Sequence, residues 1–411
     1  MHFFYNIIVL LAGLLLRVIA LFSPKIALFT QGRKNVFSIL KKQLTSNDSV
    51  IWIHVASLGE FEQGLPIIEK LKESYPSYKI LVTFFSPSGY EVKKNTKVAD
   101  LVTYLPLDTK SNVMNFINAT RPKLAIFVKY EVWPNYIREL HKREIPTILI
   151  SAFFKKEQLY FKSYGDFMRN TLSKFTHIFV QDNNSKTLLD SINYCNTTIS
   201  GDTRFDRVSE ILQRDNTLNF MQNFKGNSKC FIAGSSWPED EEIIVEYINK
   251  NESNLKYVIA PHNIKGEHIN KLKKSILKKV VLYSEIEHTT INSYDVLLVD
   301  TIGLLTKIYS YADIAYVGGG FTTGLHNTLE PAVFGIPILI GPNYNGFKEV
   351  EDLVKQKGIL PIINTLEFKE VMSLLLSDKK LFNETSVINK NYVINNTGAS
   401  VQILDYLRKL L

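Results

Sequence analysis

The residues of this chain best placed to do chemistry are carboxylates that open helices and glycines that close strands. Glu60, in Ser57-Leu58-Gly59-Glu60, follows the apolar run Val50 to Val55 and opens the helical pattern Phe61 to Leu71. A carboxylate in a first helical turn is held ionised by the helix dipole and is available as a base. Ser57 with Glu60 three residues on is equally the mark of a helix cap, and the two readings compete. Glu131, in Lys129-Tyr130-Glu131-Val132-Trp133-Pro134-Asn135, has the same placement after the apolar run Leu124 to Val128. Pro134 suits the start of the next helix.

The glycines lie in Val317-Gly318-Gly319-Gly320-Phe321-Thr322-Thr323-Gly324-Leu325-His326-Asn327-Thr328-Leu329-Glu330-Pro331-Ala332. Gly318, Gly319 and Gly320 follow a buried strand and let backbone N–H groups approach a ligand with no Cβ in the way. A short helix over 329–334 would add free N–H groups and a partial positive charge, which suits a phosphate. Glu330, in its first turn, could accept from ribose hydroxyls. Glycines used only for tight packing are the competing reading.

Ser86-Pro87-Ser88-Gly89, Gly234-Ser235-Ser236-Trp237-Pro238, Pro261-His262-Asn263 and Asp300-Thr301-Ile302-Gly303 also close strands. Ser235 and Ser236, before the acidic helix that includes 239–242, could hold a phosphate or act as a cap. No His-Glu-x-x-His or Cys-x-x-Cys spacing, nucleophile elbow or P-loop occurs, so the sequence supports no metal site.

Alternating elements position these groups. Strands are expected near 50–55, 80–84, 101–104, 124–128, 147–150 and 178–180, and again near 231–233, 257–259, 280–283, 296–299, 314–317 and 338–340. Helix-length segments separate them, which argues for βαβ units and mostly parallel sheets. The polar, Asn- and Gln-rich stretch 206–228 divides two α/β halves, and 401–411 reads as a helix with no strand after it.

The 411 residues suffice for two domains. An apolar content of 45% and a charged content of 21% are globular, and the net charge of +8 suits an anionic substrate or a membrane surface. It is too diffuse to imply nucleic acid. Two cysteines, Cys195 and Cys230, support no disulfide framework and point to a reducing cytosol. Phe3 to Phe22 is apolar apart from Asn6 and Arg17 and long enough to cross a bilayer, and it reads as an uncleaved anchor. Arg17, Lys25, Arg33, Lys34, Lys41 and Lys42 lie at or beyond its C-terminal end, which puts the following domain in the cytoplasm. An interfacial or domain-packed helix is the alternative.

His54-Val55-Ala56-Ser57-Leu58-Gly59-Glu60, Tyr130 to Asn135, Gly201-Asp202-Thr203-Arg204-Phe205-Asp206, and Gly318 to Ala332 with Gly341-Pro342 resemble the 3-deoxy-D-manno-octulosonic acid (Kdo) transferases of Gram-negative lipopolysaccharide assembly. The resemblance covers nearly the whole chain. It implies an α/β GT-B architecture, with two Rossmann-like domains facing a central cleft and an N-terminal membrane-anchor helix. The implied segments are an anchor over 1–24, an acceptor-binding domain over 25–205, a linker over 206–228, a CMP-Kdo-binding domain over 229–395 and a C-terminal helix over 396–411. The implied reaction is an inverting, metal-independent transfer of Kdo from CMP-Kdo to a lipid A precursor of the lipid IVA type at the inner membrane. No cofactor, nucleic acid or protein partner is implied.

Residue by residue, Glu60 matches the family's general base and Glu131 a second essential acid. Ser235, Ser236, Gly318, Gly319, Gly320, Asn327 and Glu330 fall in segments that bind the cytidine nucleotide. His262 matches the histidine of a Pro-Arg-His motif, although here Pro261 and His262 are adjacent with no Arg between. Lys129 stands where many members carry an acid. Ser57, Gly59 and Arg204 are candidates for acceptor or anion contacts, with a salt bridge as the competing role of Arg204. The rival functions are a UDP-sugar-using GT-B glycosyltransferase or epimerase, and a non-catalytic nucleotide-binding protein on the same fold.

Overall fold

The computed structural model describes residues 1–322 and 324–411, with His288 described by its backbone alone; Thr323 of the glycine-rich stretch lies outside the described residues. The chain forms two compact units, Met1–Arg207 with Thr397–Leu411, and Val208–Asn396.

In the first unit the apolar runs become β1 (Ser49–Val55), β2 (Tyr78–Phe84), β3 (Leu101–Tyr104), β4 (Pro122–Val128), β5 (Thr147–Ala152) and β6 (His177–Val180), and Thr197–Ile199 adds β7. They pair in parallel in the order β3-β2-β1-β4-β5-β6-β7. Both faces are covered, so inward and outward side chains are alike apolar. Trp52 packs on Phe116, Phe127 and Tyr136 on one face and donates its Nε1–H to Thr83 Oγ1 at 2.8 Å. On the other, Ile51, Ile53 and Phe61 share a cluster with Ile403 and Leu407 of the helix Ala399–Leu407. Asp206 fixes the start of that helix by accepting the N–H groups of Gly398 and Ser400.

The second unit repeats the plan with β8 (Lys229–Ser236), β9 (Leu255–Pro261), β10 (Val280–Leu282), β11 (Val296–Leu298), β12 (Ile314–Val317), β13 (Ile338–Ile340) and β14 (Ile359–Pro361). The order is β10-β11-β9-β8-β12-β13-β14, again parallel. The polar stretch 206–228 contains the helix Asn219–Lys225, whose Met221 and Phe224 are fully buried. The short helix after the glycines covers only Leu329–Ala332, with Pro331 inside it.

The second sheet lays β11 between β9 and β10, and in both sheets later strands cross to the other side of the first strand, between β1 and β4 and between β8 and β12. Connections leave to opposite sides there and open a crevice beyond the strands' carboxyl ends, where ligands of such sheets bind. The helix His2–Ile19 has a mean hydropathy of 2.0 and no buried residue, and is the one helix among the described residues long and apolar enough to cross a membrane.

Candidate active site

The carboxyl ends of β1 and β4 bring Glu60 and Glu131 to the switch point of the first sheet. Ser57 caps the helix Leu58–Ser74, its Oγ accepting the Glu60 N–H at 3.4 Å. The Glu60 carboxylate turns back to accept the Ala56 N–H. The capping role read from the sequence is therefore present. The same carboxyl is nevertheless buried, and burial, followed by the charge of Glu131, pushes its pKa up to about 7. A capping carboxylate in open solvent would shift the other way, so burial and Glu131 outweigh the backbone N–H groups.

Glu131 is buried and doubly held: Oε2 lies 3.0 Å from His54 Nε2 and accepts Trp133 Nε1–H at 2.7 Å. His54 is fixed from its other side by Thr83 Oγ1, 2.9 Å from Nδ1. Gly59 is exposed beside Glu60, and a Cβ built on it would meet nothing nearer than Ser57 Oγ at 4.0 Å.

Arg204 is paired with Asp202, its Nε–H donating to Oδ2 at 2.9 Å, so the salt bridge weighed from the sequence is formed. Asp202 also accepts Gln63 Nε2–H at 3.0 Å, and Thr203 Oγ1 donates to the Gln63 carbonyl. The segment Gly201–Asp206 thus clasps the helix that carries Glu60. Tyr130 gathers these charges: burial and the charge of Glu60 raise its hydroxyl pKa, and Arg204 opposes them.

In the second unit, Ser235, Asn327 and Glu330 line one cavity of about 290 Å³ with Thr306, Tyr309 and His326. Glu330 accepts Thr306 Oγ1–H at 2.8 Å and Asn327 Nδ2–H at 3.2 Å. Ser235 holds φ +53°, a left-handed conformation uncommon for a residue with a Cβ. Ser236 is turned away, buried and donating to Glu241 Oε1 at 3.0 Å. His262 is exposed and stacks on Trp237 at 4.5 Å, and Trp237 donates Nε1–H to His326 Nε2 at 3.0 Å. Burial, then His262, lowers the pKa of His326 and favours its neutral ring.

The glycines are packed more tightly than a free phosphate cradle would be. A Cβ on Gly318 would lie 2.3 Å from the Ser235 carbonyl, and one on Gly320 2.7 Å from the Gly341 nitrogen. The N–H of Gly318 donates to the Gly234 carbonyl, and that of Gly319 to Asp240 Oδ2, both at 2.9 Å. Two of the three donors expected to reach a ligand are therefore used inside the fold. Asp240 also accepts Tyr316 Oη–H and the Trp237 N–H. His54, Trp133, Asp202, Trp237 and Asp240 are not site candidates from sequence; the first four lie inside the motifs named above and Asp240 in the acidic stretch 239–242, which is their one signal in the sequence.

Two solved structures share this plan. UDP-GlcNAc 2-epimerase from Neisseria meningitidis matches with a TM-score of 0.61 at 16% identity, covering 88% of this chain and 100% of that one. MurG from Acinetobacter baumannii matches at 0.55 and 11%, covering 88% and 99%. With two parallel, helix-covered sheets, these likenesses define an α/β protein of the GT-B class. The family model described as 3-deoxy-D-manno-octulosonic-acid transferase matches residues 31–207. The transferase of that name from Aquifex aeolicus is 30% identical over 348 residues, covering 83% of this chain and 90% of its own. Its counterpart from Haemophilus influenzae is 29% identical over 431 residues, covering 100% and 99%. The chain belongs to the 3-deoxy-D-manno-octulosonic acid transferase family, and it is a glycosyltransferase.

Proposed function

We propose that this enzyme moves Kdo from CMP-Kdo to a hydroxyl of a lipid A precursor, in one inverting displacement that needs no metal. The observation that carries the reading is Glu60: a carboxyl with a pKa of about 7 at the switch point of the first sheet, in a chain of the Kdo transferase family. A base titrating near the working pH combines availability with proton affinity. Glu60 takes the proton of the acceptor hydroxyl as that oxygen attacks the anomeric carbon of Kdo. The bond from that carbon to the CMP phosphate oxygen breaks, and its electron pair leaves on CMP. Glu131, locked by His54 and Trp133, keeps the carboxyl of Glu60 basic.

Ser235 and Asn327 offer polar groups to the leaving nucleotide, and Glu330 accepts from its ribose. His262 and Gly320 complete the donor segment. Gly318 and Gly319 shape that segment through packing, and Ser236 supports it through Glu241. Gly59 and Ser57 leave room for the acceptor beside Glu60, and Arg204 keeps positive charge near an anionic group of donor or acceptor. The helix His2–Ile19 holds the enzyme at the inner membrane, with both units on the cytoplasmic side, where the basic residues after the helix favour them.

Incubation with labelled CMP-Kdo and a lipid A precursor, with and without EDTA and against excess UDP-GlcNAc, tests this. Labelled lipid of inverted anomeric configuration is expected in every mixture. Absence of labelled lipid sinks the donor or acceptor assignment, and loss on chelation sinks metal independence.

A further inference from the structure

The N-terminal helix is inside-out. Its partly covered stripe, Tyr5, Asn6, Val9, Gly13, Leu16 and Ala20, recurs every three or four residues along its whole length. Polar and small residues dominate that stripe, whereas Phe3, Phe4, Ile8, Leu11, Leu15 and Val18 on the other faces are 56–71% exposed. A surface helix of a soluble protein shows the opposite order, apolar side inward.

The stripe is fastened to the first unit near both ends. Tyr5 Oη donates to the buried Asp108 at 2.6 Å, and Asn135 Nδ2 donates to Asn6 Oδ1 at 2.9 Å. The rings of Tyr5 and Phe167 lie 5.4 Å apart. Further along, a Cβ on Gly13 would come within 3.2 Å of Leu107 Cδ1, and Leu16 and Ala20 line a cavity of about 550 Å³ with Pro106 and Leu107.

Such a helix cannot cross a bilayer alone. Eighteen helical residues rise about 27 Å, close to the ~30 Å of hydrocarbon, so crossing would carry the attached flank of the unit to the same depth. That flank includes the irregular segment 105–109 and the charges of Lys110 and Arg138, which act on His2. Lipid-exposed irregular backbone does not occur at that depth, and buried charge there is costly.

We propose that residues 2–19 lie in the plane of one anionic leaflet, apolar faces in the acyl region, with both helix ends on the side of the first unit. This rests on the membrane reading given under Proposed function and replaces a spanning anchor by an interfacial one. Charge fits the occupant: Arg17 and Lys34 flank the cavity at one end, and Lys110 and Arg138 stand near the other. Cations so placed meet lipid phosphates while long side chains keep their heads in water.

The test uses the full chain in the inner membrane of a Gram-negative host. Native Cys195 is exposed in the first unit and reports its side, Cys230 is buried, and His2→Cys reports the helix start. An impermeant maleimide applied to intact spheroplasts should spare both Cys195 and the residue-2 thiol, and modify both after lysis. Modification on opposite sides overturns the proposal. In a Cys195→Ser background, fluorophores on Phe4→Cys, Leu11→Cys and Val18→Cys should sit at one shallow depth, about 5–10 Å below the headgroups. Depths that run progressively through the bilayer overturn it as well. A chain found in the soluble fraction defeats the membrane reading itself, a result distinct from either.

Discussion

His54 Nε2 stands 3.0 Å from Glu131 Oε2, joining two buried side chains from adjacent parallel strands' carboxyl ends. With Trp133 on the same oxygen, the pair keeps a second acid where its charge is felt by Glu60. The acid limb of kcat/KM should therefore lie near pH 7, activity falling as pH drops and Glu60 gains its proton. Glu131→Gln removes the like charge and should move that limb to lower pH. A pH–rate profile with an unmoved limb would separate Glu131 from the ionisation of Glu60.

Glu60→Gln preserves an oxygen able to accept the Ala56 N–H, so folding should be unaffected. Loss of the base should slow turnover by ~10²–10⁴-fold. Melting temperature and single-turnover rate, measured together on the variant, check both halves. Unchanged turnover would remove the base assignment while leaving the fold standing.

Two glycines near Glu60 should behave oppositely. Gly59→Ala adds a methyl to open space and, in a helix, should hold or raise stability by up to ~1 kcal/mol; slowed transfer would then report crowding of the acceptor. A Cβ on Gly89 would lie 2.7 Å from Phe84 Cδ1 and 3.0 Å from the Leu58 nitrogen. Gly89→Ala should cost ~1–3 kcal/mol by overpacking. Thermal melts alongside transfer assays distinguish the two effects.

Gly319 has φ +92°, and a Cβ there would fall 2.3 Å from the Gly324 carbonyl oxygen. Gly319→Ala should destabilise by more than ~1 kcal/mol, since neither the dihedral nor the space suits a side chain. Denaturant unfolding checks the loss, and weakened CMP binding should accompany it.

Much of the architecture was legible because buried parallel strands are short apolar runs between helical patterns. Leu101–Tyr104, Ile314–Val317 and Ile338–Ile340 have the expected limits, Val280–Leu282 and Val296–Leu298 stop one residue short of them, and the remaining expected strands extend beyond them. β7 and β14 escaped: each is three residues at a sheet edge, and Thr197-Thr198 presents no apolar run. The positions of Glu60, Glu131, Ser235 and the glycines were readable from their place after strands. Their partners were not. The contacts of His54 with Glu131, of Trp237 with His326 and of Asp240 with Gly319 join residues 77 to 89 apart. Such pairings are set by crossover connections, which no local pattern encodes.

The helix Ala399–Leu407 belongs to the first unit and drives Ile403 and Leu407 into the cluster formed by β1 and its covering helix. During vectorial synthesis the β1 sheet emerges from the ribosome long before this helix, with the entire second unit translated in between. Its apolar flank stays uncovered for that interval and is sealed only when the final residues arrive. The first unit, although its sheet is made first, therefore cannot complete its core until the contiguous second unit has been translated.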